Sequence, residues 1–123
     1  MTFEENLLGY VLSGSTTKKA LFQPIETAES IIREGMLVVI KEENPILAVI
    51  SEISRHHEFY EAGDVWSEAI RKGLRPPEKV ARKYTIAYLR LMGKILGNAL
   101  YSPDKPPKPG SVVMKMDLSL IHI

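Results

Sequence analysis

The 123-residue chain has no cysteine. That excludes disulfide staples, zinc–thiolate sites and thiol catalysis. Amides are scarce: three asparagines (Asn6, Asn44, Asn98) and one glutamine (Gln23) stand beside many Glu and Lys. This balance favours a heat-adapted source. No apolar run approaches the roughly 20 residues a membrane helix needs, so no membrane association is expected. The opening MTFEENLLGY is acidic and lacks a basic region leading into an apolar run, so it does not read as a secretory signal. The expected location is the cytoplasm. No serine stands in a G-x-S-x-G elbow, and no carboxylate pair carries a catalytic signature.

The length is that of one domain, large enough to bury a core without staples. Charge is distributed unevenly. Residues 1–70 carry five basic and twelve acidic side chains, a balance of −7. Residues 71–94 carry eight basic side chains (Arg71, Lys72, Arg75, Lys79, Arg82, Lys83, Arg90, Lys94) and the single acid Glu78, a balance of +7. Such a chain can present opposite faces.

Apolar patterning and turn residues predict a mainly β domain. LLGYVLSG reads as a strand ending in a turn at Ser13-Gly14, and ALFQPI as a second strand limited by Pro24. The polar STTKK between them fits a hairpin loop. ETAESIIREG suits a helical turn or a loop closed by Gly35. MLVVIKEENPILAVISEIS predicts an antiparallel hairpin turning at residues 43–45, with Leu47, Val49 and Ile53 on one face of its second arm. Beyond Arg55, Asp64 is placed to cap a helix carrying Val65, Trp66, Ala69 and Ile70 on one face, with Gly73 as its C′ residue. Pro76-Pro77 is placed to open a second short helix, PEKVARK. YTIAYLRLMGKIL returns to strand texture, with Leu89, Leu91 and Ile95 on one side and Arg90, Met92 and Lys94 on the other. Gly93 and Gly97 suggest a bulge or tight bend. Four prolines mark YSPDKPPKPGSVV, and SVVMKM is a last possible strand. The expectation is a small closed β-barrel of about six strands, with a short helical insertion before the fifth. It assigns residues 1–100 to the barrel, with the insertion at about 64–82, and residues 101–123 to a proline-rich connector plus last strand or lead-in. The apolar SLIHI beyond the connector suggests a chain cut at a domain boundary.

Three patterns bear on chemistry. GYVLSGST matches the phosphate-loop pattern except for its lysine, and YVLS is strand-like where a loop is needed, so a strand ending in a glycine turn is the reading. RHHEFYEAGD gathers His56, His57, Glu58, Glu61 and Asp64, types that can hold a metal. Adjacent histidines diverge on a strand and no H-x-H spacing exists, so a solvated loop is preferred and no metal is assigned; His122 stands alone. The basic stretch has three open readings. It can meet the acidic face of a neighbouring copy, form a solvated face, or contact DNA, with Tyr84 and Tyr88 stacking bases.

The order of GYVLSGSTT, GMLVVIKEENPILAVISEIS, the helical insertion, YTIAYLRLMG and PPKPGSVV resembles the N-terminal barrel of archaeal HerA-type hexameric DNA translocase ATPases, the HAS barrel. The resemblance covers nearly the whole chain, and DLSLIHI resembles the lead-in to the ATPase domain. It implies a non-catalytic barrel that helps subunits form a hexamer and docks the NurA nuclease during DNA end resection in recombinational repair. This chain has no phosphate loop, no acidic Mg²⁺-binding motif and no arginine finger, so ATP and Mg²⁺ are expected only in an ATPase domain absent from it. No catalytic residue carries over. By itself the barrel is expected to be monomeric or weakly associating, touching DNA only indirectly or weakly. The alternative is a free-standing nucleic-acid-binding barrel of the OB or SH3-like type.

Overall fold

The structure, a computed structural model, describes residues 6–62, 66–76 and 82–116. It is mainly β. Among the described residues seven strands run in the order β1 (Leu7–Val11), β2 (Lys19–Pro24), β3 (Leu37–Ile40), β4 (Ile46–His57), β5 (Lys83–Leu96), β6 (Ala99–Tyr101) and β7 (Val112–Lys115). One short helix, α1 (Ser67–Arg71), precedes β5 among the described residues. The segment after β2 is a single 3-10 turn, Glu26–Ala28. The expected second helix over PEKVARK lies largely outside the described residues, as do Asp64, Val65, Lys79 and His122; Lys83 belongs to β5.

All pairings are antiparallel. β1, β2, β5, β4, β3 and β7 form a ring of six strands, each hydrogen-bonded to its two neighbours. β6 hangs outside the ring on the far end of β5. Closure inside the sheet leaves those six strands without a free edge where they are paired on both sides.

Small side chains stand beside large ones on neighbouring strands: Ala20 pairs with Leu89, Ala87 with Phe22 and Ala48 with Leu91. With Leu8, Val38, Ile40, Ile50 and Val113 they form the main core. Each large apolar side chain shut away there contributes roughly 1.5–3 kcal/mol of burial. Where β1 crosses β2 the backbones touch: a Cβ on Gly9 would lie 2.2 Å from the Gln23 carbonyl oxygen, so only glycine fits.

Two bulges correct the expected faces. Ile50 opposes Leu89 but Glu52 opposes Tyr88, so Ser51 is an extra residue on β4. Its hydroxyl donates to the Tyr88 carbonyl at 3.1 Å. Before that bulge Ile46, Ala48 and Ile50 face the core; after it Ile53 does. Leu47, Val49 and Ile53 therefore do not share a face. Similarly Leu47 opposes Gly93 while Ala48 opposes Leu91, which makes Met92 the extra residue on β5. Ile95 thus leaves the row of Leu89 and Leu91. It packs on the outer side with Leu47, Val39 and Met116.

β4 and β5 are long, not short, and their ladder reaches His56 opposite Tyr84 and His57 opposite Lys83. β2 accompanies β5 only over residues 87–90, and β3 accompanies β4 only over residues 46–49. Beyond these the two strands continue as an arm. Gly97, with φ +63°, is the first of two loop residues joining β5 to β6, where a primed turn needs positive φ.

The proline-rich segment does not lead away from the sheet. Residues 102–111 join β6 to β7, and β7 inserts between β1 and β3. Glu42 holds this loop: its carboxylate accepts from the Lys108 backbone N–H at 3.0 Å and from the Ser111 hydroxyl at 2.9 Å. Lys94 Nζ meets Asp104 Oδ1 at 3.2 Å. That bond to the Lys94 ammonium holds the Asp104 carboxyl below the usual range. SVVMKM therefore completes the ring.

Candidate functional site

The most strongly functionalised region is the β4–β5 arm. It borders a cleft of about 560 Å³ lined on one side by Glu29, Ile32 and Arg33, and on the other by Arg55, His57, Lys83 and Thr85 among others. After the Ser51 bulge, strand alternation sends Ile53, Arg55 and His57 to the inward side and Ser54 and His56 to the outward side. The ladder puts Thr85 opposite Arg55 and Lys83 opposite His57.

The histidines are therefore strand residues and not part of a solvated loop, because each has a ladder partner on β5. As adjacent strand residues they diverge. His56 stacks on Tyr84 with ring centroids 4.9 Å apart and planes 6° apart. Its Nε2 lies 2.9 Å from the Ser54 hydroxyl and its Nδ1 3.3 Å from Glu61. His57 caps the 3-10 turn Glu58–Tyr60: the Phe59 backbone N–H donates to Nδ1 at 3.2 Å. Tyr60 meets the His57 ring edge-on at 4.8 Å, and Phe59 packs on Trp66 at 5.3 Å. Among the described residues no group of three metal-ligating side chains comes together.

Among the described residues the basic side chains are spread out. Lys83 and Lys94 stand near opposite ends of β5, roughly 35 Å apart along an extended strand. Arg71 and Lys72 on α1 both meet Glu68, at 3.2 and 3.9 Å. Arg82 meets Glu58 at 3.1 Å and also donates its backbone N–H to it at 2.8 Å. That backbone bond first, then the guanidinium, holds the Glu58 carboxyl below its ordinary value. Arg75 is exposed in the segment after α1, and Arg90 is exposed on β5. Tyr84 and Tyr88 are both half-buried, and Tyr84 already gives one ring face to His56.

Gly73 follows α1 as expected. The Gly73 N–H donates to Ile70 O and the Leu74 N–H to Ala69 O, both at 2.9 Å, a Schellman ending. The phosphate-loop near-miss is a strand and turn: Gly9 lies in β1, and Gly14, with φ +96°, turns the chain. Thr16 Oγ1 accepts from the backbone N–H groups of Lys18 and Lys19 in that loop.

Two features escaped the sequence reading. One is the inward row Arg55, His57, Thr85, whose direction depends on the Ser51 bulge. The other is a group of exposed apolar side chains on the β5–β6 hairpin: Met92, Leu96, Leu100 and Tyr101, each 40% to 53% exposed. Gly97-Asn98 was a usable signal for that hairpin. Models of known protein families include none that matches the chain, and a comparison with curated proteins finds no match.

Proposed function

We propose that this chain is a non-catalytic assembly and docking module, its six-strand ring a small closed barrel of the HAS type from a HerA-type DNA-processing ATPase. The observation that supports it best is the β5–β6 hairpin. Four large apolar side chains are exposed there within ten residues, Leu100 on one face of the hairpin and Leu96 and Tyr101 on the other, beside β6, which among the described residues pairs only with β5. Apolar exposure combined with a free strand edge suits contact with another protein. The partners in this reading are neighbouring subunits of a hexameric ring and the NurA nuclease. ATP and Mg²⁺ belong to a separate ATPase domain. Small β domains host many functions, so the reading stands on this surface and on the ordered resemblance, not on the architecture.

The test is co-purification of the chain with the HerA-type ATPase subunits and the NurA nuclease from the same source. The wild-type chain is expected to be retained and a Leu96→Glu/Leu100→Glu variant to be lost, with the variant's melting curve unchanged. No retention of the wild type overturns the proposal. So does finding no G-x-x-x-x-G-K-[ST] pattern in the gene downstream of Ile123.

Single-strand binding is the weaker reading. It needs a continuous basic surface and free aromatic faces. The ion pairs of Arg71, Lys72, Arg82 and Lys94, and the stacking of Tyr84 on His56, oppose both.

A further inference from the structure

The two adjacent histidines of the arm are built to receive a proton in opposite ways. His56 has a partner for each ring nitrogen: the Ser54 hydroxyl lies 2.9 Å from Nε2 and the Glu61 carboxylate 3.3 Å from Nδ1. The hydroxyl can turn to accept and the carboxylate accepts already, so a doubly protonated ring keeps both bonds. His57 has no such freedom. Its Nδ1 accepts from the Phe59 backbone N–H at 3.2 Å, so in the neutral ring the proton sits on Nε2. Nε2 is closed to solvent and has no hydrogen-bond partner among the described residues. A second proton must go to Nδ1, where it would point at another donor. Both N–H groups of the charged ring would then lack acceptors, and the Nε2 side of that charge would stand where water does not reach. The charged neighbours do not repair this. Lys83 stands directly opposite on β5, and Arg55 and Arg33 border the same cleft, all adding positive charge. Glu58 attracts a charge on His57 but has both carboxylate oxygens on Arg82. Glu61 is engaged by His56, and Glu29 is exposed on the facing wall.

We propose that the arm tip is a proton-released latch, held closed by neutral His57 and opened when His57 gains a proton. The moving part is the 3-10 turn Glu58–Tyr60, whose first free N–H is the one His57 accepts. Tyr60 rests edge-on against the His57 ring, and Phe59 packs on Trp66 just before α1. Turning the charged ring out to water gives both of its N–H groups acceptors. It also removes the bond that starts the turn and the surface that Tyr60 rests on. Phe59 then loses its fixed place against Trp66, so the change passes from the arm to the segment leading into α1. The sign follows from the bonding: closure is complete where His57 is neutral and is lost as pH falls. Because β4 and β5 stay paired up to His57 and Lys83, the ring is outside the latch. The device lies on the arm and does not depend on the docking reading of the β5–β6 hairpin.

The test follows the nitrogen-15-labelled chain from about pH 8 to about pH 5, the range in which imidazole side chains change charge. Long-range proton–nitrogen spectra report the protonation of each histidine ring. Amide exchange, corrected for its intrinsic pH dependence, reports the closure of the turn. Protection of the Phe59 amide is expected to fall roughly tenfold in step with protonation of His57, the scale of a hydrogen bond lost with its partner left unmet. Fluorescence of Trp66, the only tryptophan, should change over the same range, while the Leu89 amide in the ring keeps its protection. His57→Asn supplies an acceptor that does not titrate there and is expected to keep the turn closed throughout. His57→Ser, another good capping residue, serves if the asparagine variant loses its fold. His56→Gln is expected to retain the transition. Unchanged Phe59 protection while His57 protonates overturns the proposal, as does a His57 that stays neutral to the acid end. A transition that persists in a folded His57 variant, or that vanishes in His56→Gln, overturns it too.

Discussion

The same two strands, β4 and β5, behave differently at their two ends. Inside the ring their inward row is Ile46, Ala48, Ile50, Ala87 and Leu89, all buried and apolar. Along the arm the row becomes Ile53, Arg55, His57, Thr85 and Lys83. The change falls where β2 and β3 stop pairing. With neighbours on both sides the strands enclose a space that must be filled without unmet polar groups. Without them the same alternation borders a cleft open to solvent, and polar donors are tolerated. Inward direction alone does not make a residue a core residue; lateral company does.

Substitutions can sharpen or break this contrast. Phe22→Ala, in the ring, is expected to cost about 3–5 kcal/mol in urea unfolding. Ile53→Ala, on the arm side, should cost half of that or less; equal losses would erase the distinction between the regions. Gly9→Ala comes next. Its Cβ would press on the Gln23 carbonyl, and the strain should cost about 1–3 kcal/mol by the same measurement. Glu42→Ala removes two bonds to the proline-rich loop. A loss of about 1–2 kcal/mol is expected, with faster hydrogen exchange at the Lys108 amide and none of that acceleration at Tyr84 on the arm.

The smallest effect lies at the arm's tip. Glu58 has a lowered pKa in the folded state, so it binds its proton less readily there than in the unfolded chain. Its contribution is complete above the unfolded value and fades as pH falls through the lowered folded value. Glu58→Gln should therefore lower stability slightly at neutral pH and leave it unchanged at the acid end, flattening the acid limb of a stability–pH curve; the effect is small because the Arg82 side of the pair is exposed. A steeper acid limb in the variant would contradict this sign.

Much of the ring was readable from local patterns. Gly14, Pro24, the turn at residues 43–45 and Gly73 all punctuate the chain where expected. What local patterns could not carry were the consequences of pairing. Ser51 and Met92 look like ordinary strand residues, and only the pairing of the residues beside them, Ile50 with Leu89 and Glu52 with Tyr88, Leu47 with Gly93 and Ala48 with Leu91, shows that each is an extra residue. Each reverses the faces that follow it, which is why Ile53 and Ile95 were placed on the wrong sides. The arm was misread for a related reason: RHHEF has no strong apolar alternation, and β5 alone keeps His56 and His57 extended. The proline run suggested a departure because its anchor, Glu42, is distant in sequence.

The insertion of β7 between β1 and β3 also sets an order of events during synthesis. A ribosome delivers β1 and β3 early, and their facing edges have no partner until residues 112–115 emerge. Until then the nascent sheet is an open strip with two sticky borders. Pairings so distant along the chain are slow to find, and they come after local hairpins such as β3–β4. Emergence of β7 is thus the step that turns a strip prone to aggregation into a ring, and a pause in translation just before it would prolong the most vulnerable state of the chain.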